Sequence, residues 1–246
     1  MFKFLESPHN PSLGPHLWLL GSTGLWHPNI SKAVRFKLFL FYVTVLFFFT
    51  QYLKCANDFQ AESLQLILQY APFHMGIVKS CFFQKQYKTW ASLVDYLSSV
   101  ELEQLEVKEN RVIGIMKDYI ARNRRITYFF WALAFFSNFS IFSEPYRKNH
   151  AVENGTSVYL NIFNGFTPFS GEPPGYYGAM AVQTVLGHIV SAYVVGWDTM
   201  VVSIMIFFAG QLKITRLYCM GVVQPKNSDD SHRSIAKCHK FYIQLK

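Results

Sequence analysis

The chain has 246 residues, of which 51% are hydrophobic, 17% aromatic and only 15% charged, against about 25% charged in an ordinary soluble domain. A mean hydropathy of +0.14 over the whole length requires long apolar stretches, which excludes disorder and coiled coil and argues against a soluble enzyme. Cys55, Cys81, Cys219 and Cys238 stand far apart without CxxC spacing, so neither a zinc ribbon nor a disulfide scaffold is indicated. What remains is an all-α, multi-pass transmembrane bundle, with four spans expected.

Residues 1–35 form a leader without a signal peptide, because Leu17 to Leu20 is too short for an h-region and Gly21, Pro28 and Asn29 interrupt the chain beyond it. The first span, 36–56, rests on sixteen uncharged residues between Lys37 and Lys54. The second, 63–83, also has sixteen between Glu62 and Lys79, but Gln65, Gln69, Pro72 and His74 make it a span that faces other helices. Residues 84–125 are too long for a turn. Their apolar positions, including Trp90, Val94, Leu97, Val112, Met116 and Tyr119, recur at mostly helical spacing, so both flanking spans are expected to continue as helices beyond the membrane.

Eighteen uncharged residues between Arg125 and Glu144 give the third span, 126–146. A loop over 147–175 comes next, with a glycosylation sequon at Asn154. The fourth span, 176–212, is too long for one crossing, since a helix from Tyr176 to Leu212 measures about 55 Å against a core of about 30 Å. It is expected to cross and then continue with an apolar stripe, Val201, Ile204, Met205, Phe208 and Leu212, that must pack against something. Residues 213–246 read as a linker and the start of a fifth helix.

Of the 23 lysines and arginines, nineteen fall in 1–37, 84–125 and 213–246, and only three in 54–62 and 144–175. The positive-inside rule then places the N-terminus and the 84–125 and 213–246 segments in the cytoplasm. The net charge of +8 becomes a topology signal, and nucleic-acid binding is unnecessary to explain it.

The chain contains no nucleophile elbow, Walker loop, HExxH or dinucleotide fingerprint, and Cys219, His232, Cys238 and His239 match no zinc-ligand spacing. No enzyme, cofactor or metal is indicated. Ionisable groups inside spans are costly and therefore candidates for function. By helical rise Lys79 and Asp198 both fall near the inner boundary, where a structural ion pair or snorkelling accounts for them. His74 is shallower, in the mid-membrane region just after Pro72, and reads equally as a pocket residue or as a neutral imidazole bonded to a carbonyl. On the outer halves of the second to fourth spans, Tyr70, Phe73, His74, Phe135, Asn138, Phe139, Met180 and Thr184 have the composition of a small-molecule site. Composition alone favours plain helix packing for this set.

Residues spread along the chain carry a family resemblance. The leader runs His16-Leu17-Trp18-Leu19-Leu20-Gly21 and then Gly24-Leu25-Trp26-His27-Pro28. Lys79 stands late in span two, and Pro-Pro-Gly-Tyr-Tyr occupies 173–177. Gln183, Trp197-Asp198, Gln211-Leu212 and His239 come after it in order. This pattern resembles the insect odorant receptors. The resemblance implies seven membrane helices with the N-terminus inside, an odorant-gated cation channel in the plasma membrane, and a hetero-oligomer, a tetramer, with a co-receptor subunit. It further implies subunit contacts through the cytoplasmic helix extensions, and a pocket for a small apolar volatile ligand among the outer halves of helices two, three, four and six. Under it the eight outer residues become odorant-binding candidates. The sequence stops at Lys246, where a fifth helix would begin, so only the N-terminal four-helix portion is expected here. A gustatory receptor of the same superfamily and a non-conducting assembly partner are the alternatives. A membrane enzyme or transporter lacks the intramembrane acid and histidine clusters it would need.

Overall fold

A computed structural model of the chain describes residues 5, 7–57, 61–106, 109–152, 159–163, 166, 168, 169, 171, 173–223, 232, 235, 236, 238 and 239. The described residues form seven helical elements: α1 (Gly14–Ser22), α2 (Lys32–Asn57), α3 (Ala61–Gln69), α4 (Ala71–Lys85), α5 (Tyr87–Glu106), α6 (Asn110–Val152) and α7 (Gly175–Val223). The long α7 is the axis of the molecule. It packs along α6, α4 and α1, and α5 lies against α6.

Three helices among the described residues are long and apolar enough to cross a membrane: α2, α6 over Asn110–Lys148, and α7 over Gly175–Met220. In α2 the buried residues Phe41, Thr44, Phe48, Gln51 and Cys55 form one stripe at spacings of three and four, while Phe36, Phe39, Tyr42, Leu46, Phe49 and Leu53 face outward. The expected span over 63–83 is not among the three. It is divided at Tyr70 into α3 and α4, because Pro72 has no N–H for the carbonyl four residues back and its ring crowds that carbonyl. Tyr70 then acts as the start of a new helix, its carbonyl accepting from the N–H groups of Phe73 and His74 at 2.9 and 3.3 Å. The expected sequon residue Asn154 lies outside the described residues.

The leader forms a buried helix. Pro15 opens α1, and its end is a left-handed turn at Gly24, φ +89°, where only glycine is unstrained. Leu25 N–H returns to Leu20 O at 2.8 Å and Gly24 N–H to Gly21 O at 3.4 Å, the bond pair of a Schellman stop. Leu17, Leu20 and Leu25 are buried in the core. His16 is fully buried, its Nε2 3.0 Å from Thr127 Oγ1 and 3.1 Å from Ser203 Oγ, so it joins α6 to α7.

A second polar cluster ties the residues before α1 to α5 and α6. The buried Glu101 carboxylate accepts from Ser12 N–H at 3.1 Å, from Ser12 Oγ, and from Tyr119 Oη at 2.7 Å. Arg124 donates to Pro11 O from Nη2 at 2.8 Å. Ser98 Oγ donates to Asn10 Oδ1 at 2.6 Å. Between α5 and α7 the amides of Gln104 and Gln211 exchange bonds of 2.6 and 2.9 Å. Burial raises the Glu101 carboxyl above its ordinary range, opposed by its bonds to Ser12 and Tyr119, and burial pushes His16 down to about 4.

Candidate ligand-binding site

The α4 sequence offers two faces. Phe73, Gly76, Ser80 and Phe83 recur at three and four and turn toward α7, where a Cβ on Gly76 would fall on the Val194 side chain. His74, Ile77, Val78 and Cys81 form the neighbouring face, one residue or about 100° round the helix, toward α2. The odorant candidates are therefore divided by their own helical spacing.

Toward α6 and α7, Tyr70, Phe73 and Met180 are buried. Phe163 from the 159–163 segment fills the space among the rings, with centroids 4.9 Å from Tyr70, 6.1 Å from Phe73 and 6.2 Å from Phe142. Phe73 and Phe142 lie 5.8 Å apart. Phe163 is held by its backbone N–H, which donates to Gln183 Oε1 at 3.0 Å, and Tyr176 Oη donates to Leu160 O at 2.7 Å. Offset and edge-on ring contacts of this kind are specific in geometry but weak individually.

Phe163 and Gln183 are thus members of the cluster that the eight residues of the spans do not include. Phe163 lies in a loop with no periodic signal. Gln183 has a place in the motif order, but its contact with Phe163 is a tertiary one.

The other candidates go elsewhere. His74 faces α2, its ring 5.3 Å from Phe48 and 5.0 Å from Tyr52, and it lines a cavity of about 330 Å³ between α2 and α4. Phe135 and Asn138 line a cavity of about 430 Å³ with His188, Ser191 and leader residues Leu5 and Leu19. Asn138 is buried there and donates from Nδ2 to Ser191 Oγ. Phe139 is 67% exposed and lines neither cavity. Thr184 donates to Met180 O at 2.8 Å, within α7. The eight residues do not surround one common space.

Lys79 Nζ lies 2.7 Å from Asp198 Oδ1, linking α4 to α7, and both side chains remain well exposed. Beside this contact Trp197 packs edge-on against Trp90 at 4.5 Å and Phe83 at 5.0 Å. His27 of the leader stacks on Tyr87 at 4.1 Å. The Trp-Asp pair of the motif order thus sits where α4, α5 and α7 meet.

A family model described as 7tm odorant receptor matches residues 60–244. No curated protein sequence matches the chain. With most of its length matched, the chain belongs to the 7tm odorant receptor family, a family of receptors and channels and not of enzymes.

Proposed function

We propose that this odorant receptor chain is the odorant-tuning subunit of a ligand-gated cation channel, working in the plasma membrane in a hetero-oligomer with a co-receptor. The observation that carries the reading is the family match over residues 60–244. A cytoplasmic leader is supported by the nineteen-to-three division of basic residues. The fourth crossing is made by α3 and α4 together, whose combined length from Ala61 to Lys85 is enough for a membrane when the break at Tyr70 faces protein and not lipid. The odorant is an apolar volatile, and it is selected among the outer aromatic residues, of which Tyr70, Phe73 and Met180 share a buried cluster.

The subunit contact is supported by the far half of α7. Its Ser203, Phe207, Gln211 and Ile214 are buried inward, while Met205 (66% exposed), Phe208 and Leu212 (64% exposed) leave an apolar stripe uncovered. Lys79 and Asp198 form a structural pair beneath the site.

The test is whole-cell recording during an odorant panel, with the receptor subunit expressed alone and with a co-receptor. A cation current that needs both proteins and an odorant is expected. Surface-delivered subunit and co-receptor that give no odorant-dependent current overturn the reading. Topology is checked separately with glycosylation tags: modification near residue 60 but not at residue 110 is expected.

A further inference from the structure

We infer a ligand site between α2 and α4, adjoining the aromatic cluster and divided from it by the Phe48 ring, which lies 5.3 Å from His74 and 5.1 Å from Phe163, that takes a small uncharged apolar molecule carrying one hydroxyl or carbonyl oxygen. The inference rests on the receptor reading above and moves the polar contact of the ligand to a different helix pair.

The walls are built by helical spacing. Val45, Phe48 and Tyr52 of α2 face His74, Ile77 and Cys81 of α4 across a cavity of about 330 Å³. That volume lies at the small end of ligand pockets. It suits a molecule on the order of ten non-hydrogen atoms, taking roughly the 30 Å³ of a water molecule as the share of each.

The chemistry is set by one group. His74 is 6% exposed, yet neither Nδ1 nor Nε2 has a hydrogen-bond partner among the described residues. A neutral imidazole carries one donor and one acceptor, and a buried polar ring left unpaired is costly. The side chains that meet the ring, Phe48 and Tyr52, do so through their aromatic faces and edges. An alcohol satisfies either nitrogen, and a ketone or ester satisfies the N–H.

The same geometry argues against a phospholipid as the occupant. Lys85 is the cation on the cavity wall, and it stands eleven residues, about 16 Å, along the helix from His74. A charged headgroup at Lys85 would leave His74 facing hydrocarbon. The open side is bordered by exposed Phe49 and Phe82, so the occupant enters from the bilayer, where apolar volatiles concentrate.

The experiment uses the receptor chain in phosphatidylcholine nanodiscs with an aliphatic diazirine derivative of octanol, irradiated and mapped by peptide mass spectrometry. Saturable labelling is expected on residues 45–52 and 74–81, competed by excess 1-octanol and not by octane. His74→Phe keeps the ring volume and should weaken saturable labelling about tenfold, or about 1.4 kcal/mol. His74→Gln retains a donor and an acceptor and should keep most of it. Val45→Trp fills the cavity from the opposite wall and should abolish labelling without touching His74. The octanol and octane comparison needs no variant, so misfolding of one does not decide the outcome. Competition by octane equal to that by octanol, undiminished labelling in His74→Phe, or label that octanol does not displace overturns the site. Saturable labelling confined to the Phe73 and Phe142 face also overturns it and leaves the receptor reading standing. No saturable labelling anywhere overturns the site as well, while the receptor reading is decided by the odorant recordings.

Discussion

The two ends of the bundle are held together by different physics. At the leader end, buried polar groups are paired between elements remote in sequence: Ser12 with Glu101, His16 with Thr127 and Ser203, Gln104 with Gln211. From Tyr119 to Phe142 along α6 is about 35 Å, and there the side chains pack ring on ring around Phe163, whose backbone is pinned by Gln183. Hydrogen-bond networks in low dielectric demand particular atoms at particular places. Aromatic packing demands volume and tolerates exchange.

The comparison breaks most directly at Glu101. Glu101→Leu keeps much of the bulk but removes the acceptor that Ser12 and Tyr119 share, leaving their buried donors unpaired, and should destabilise the fold by about 3 to 5 kcal/mol. Thermal unfolding of the detergent-solubilised chain measures this. A loss below about 1 kcal/mol would show that the network does not hold the leader in place.

Next comes pH. His16 is pushed down to about 4 from 6.5, so the unfolded chain binds a proton more readily than the folded one. The stability it contributes is complete above pH 6.5 and is lost as the pH falls toward 4, by about 3 kcal/mol in all. Glu101 runs the other way: its raised carboxyl contributes fully below the ordinary carboxylate range, and that contribution is lost as the pH rises through the raised value. His16→Gln should flatten the acid limb alone. If unfolding curves of wild type and His16→Gln keep the same pH dependence between 4 and 6.5, the buried histidine is not the titrating group.

These pairs show what is legible in the sequence and what is not. The cores of α2, α6 and α7 are runs without charge, a local property, so three spans can be placed by counting. The break at Tyr70 is written in Pro72, but hydropathy averaged over sixteen residues hides a single missing N–H. The leader reads as a segment too short to insert, and its residues stand out only through motif order. That it folds into a buried helix depends on partners 89, 111 and 187 positions away, which no periodicity encodes. The candidate site is half legible for the same reason. Helical spacing places Tyr70, Phe73 and His74 near one another. The face each one takes is set by contacts with α7 and α2, and the central ring, Phe163, comes from a loop.

A smaller effect is expected at the amide pair. Gln104→Leu or Gln211→Leu alone strands a buried amide and should cost about 1 to 3 kcal/mol, whereas the double replacement removes both partners and should recover most of the loss. Additive losses would mean that each amide is satisfied separately. At the aromatic end, Phe163→Leu keeps the apolar character and much of the volume, so about 1 kcal/mol is expected, with no pH dependence. A loss as large as that of Glu101→Leu would erase the distinction between the ends.

The smallest effect is assigned to the charged pair on the boundary between the two regimes. Lys79 Nζ and Asp198 Oδ1 are 2.7 Å apart, but the side chains are 39% and 47% exposed, so solvent or headgroups compete for both charges. A half-exposed pair of this kind couples by about 1 kcal/mol or less. Its use is then in register: α4 and α7 also meet at Gly76 and Val194 and at Phe83 and Trp197, and the ion pair sets which turn of one helix faces which turn of the other. Asp198→Lys puts two like charges in contact and should reduce delivery of the receptor to the cell surface. Lys79→Asp combined with Asp198→Lys restores opposite charges with the sense reversed and should recover part of that loss. Surface labelling of the four proteins of this cycle gives the coupling directly, and a double variant no better than the sum of the single ones would show that the two charges act independently.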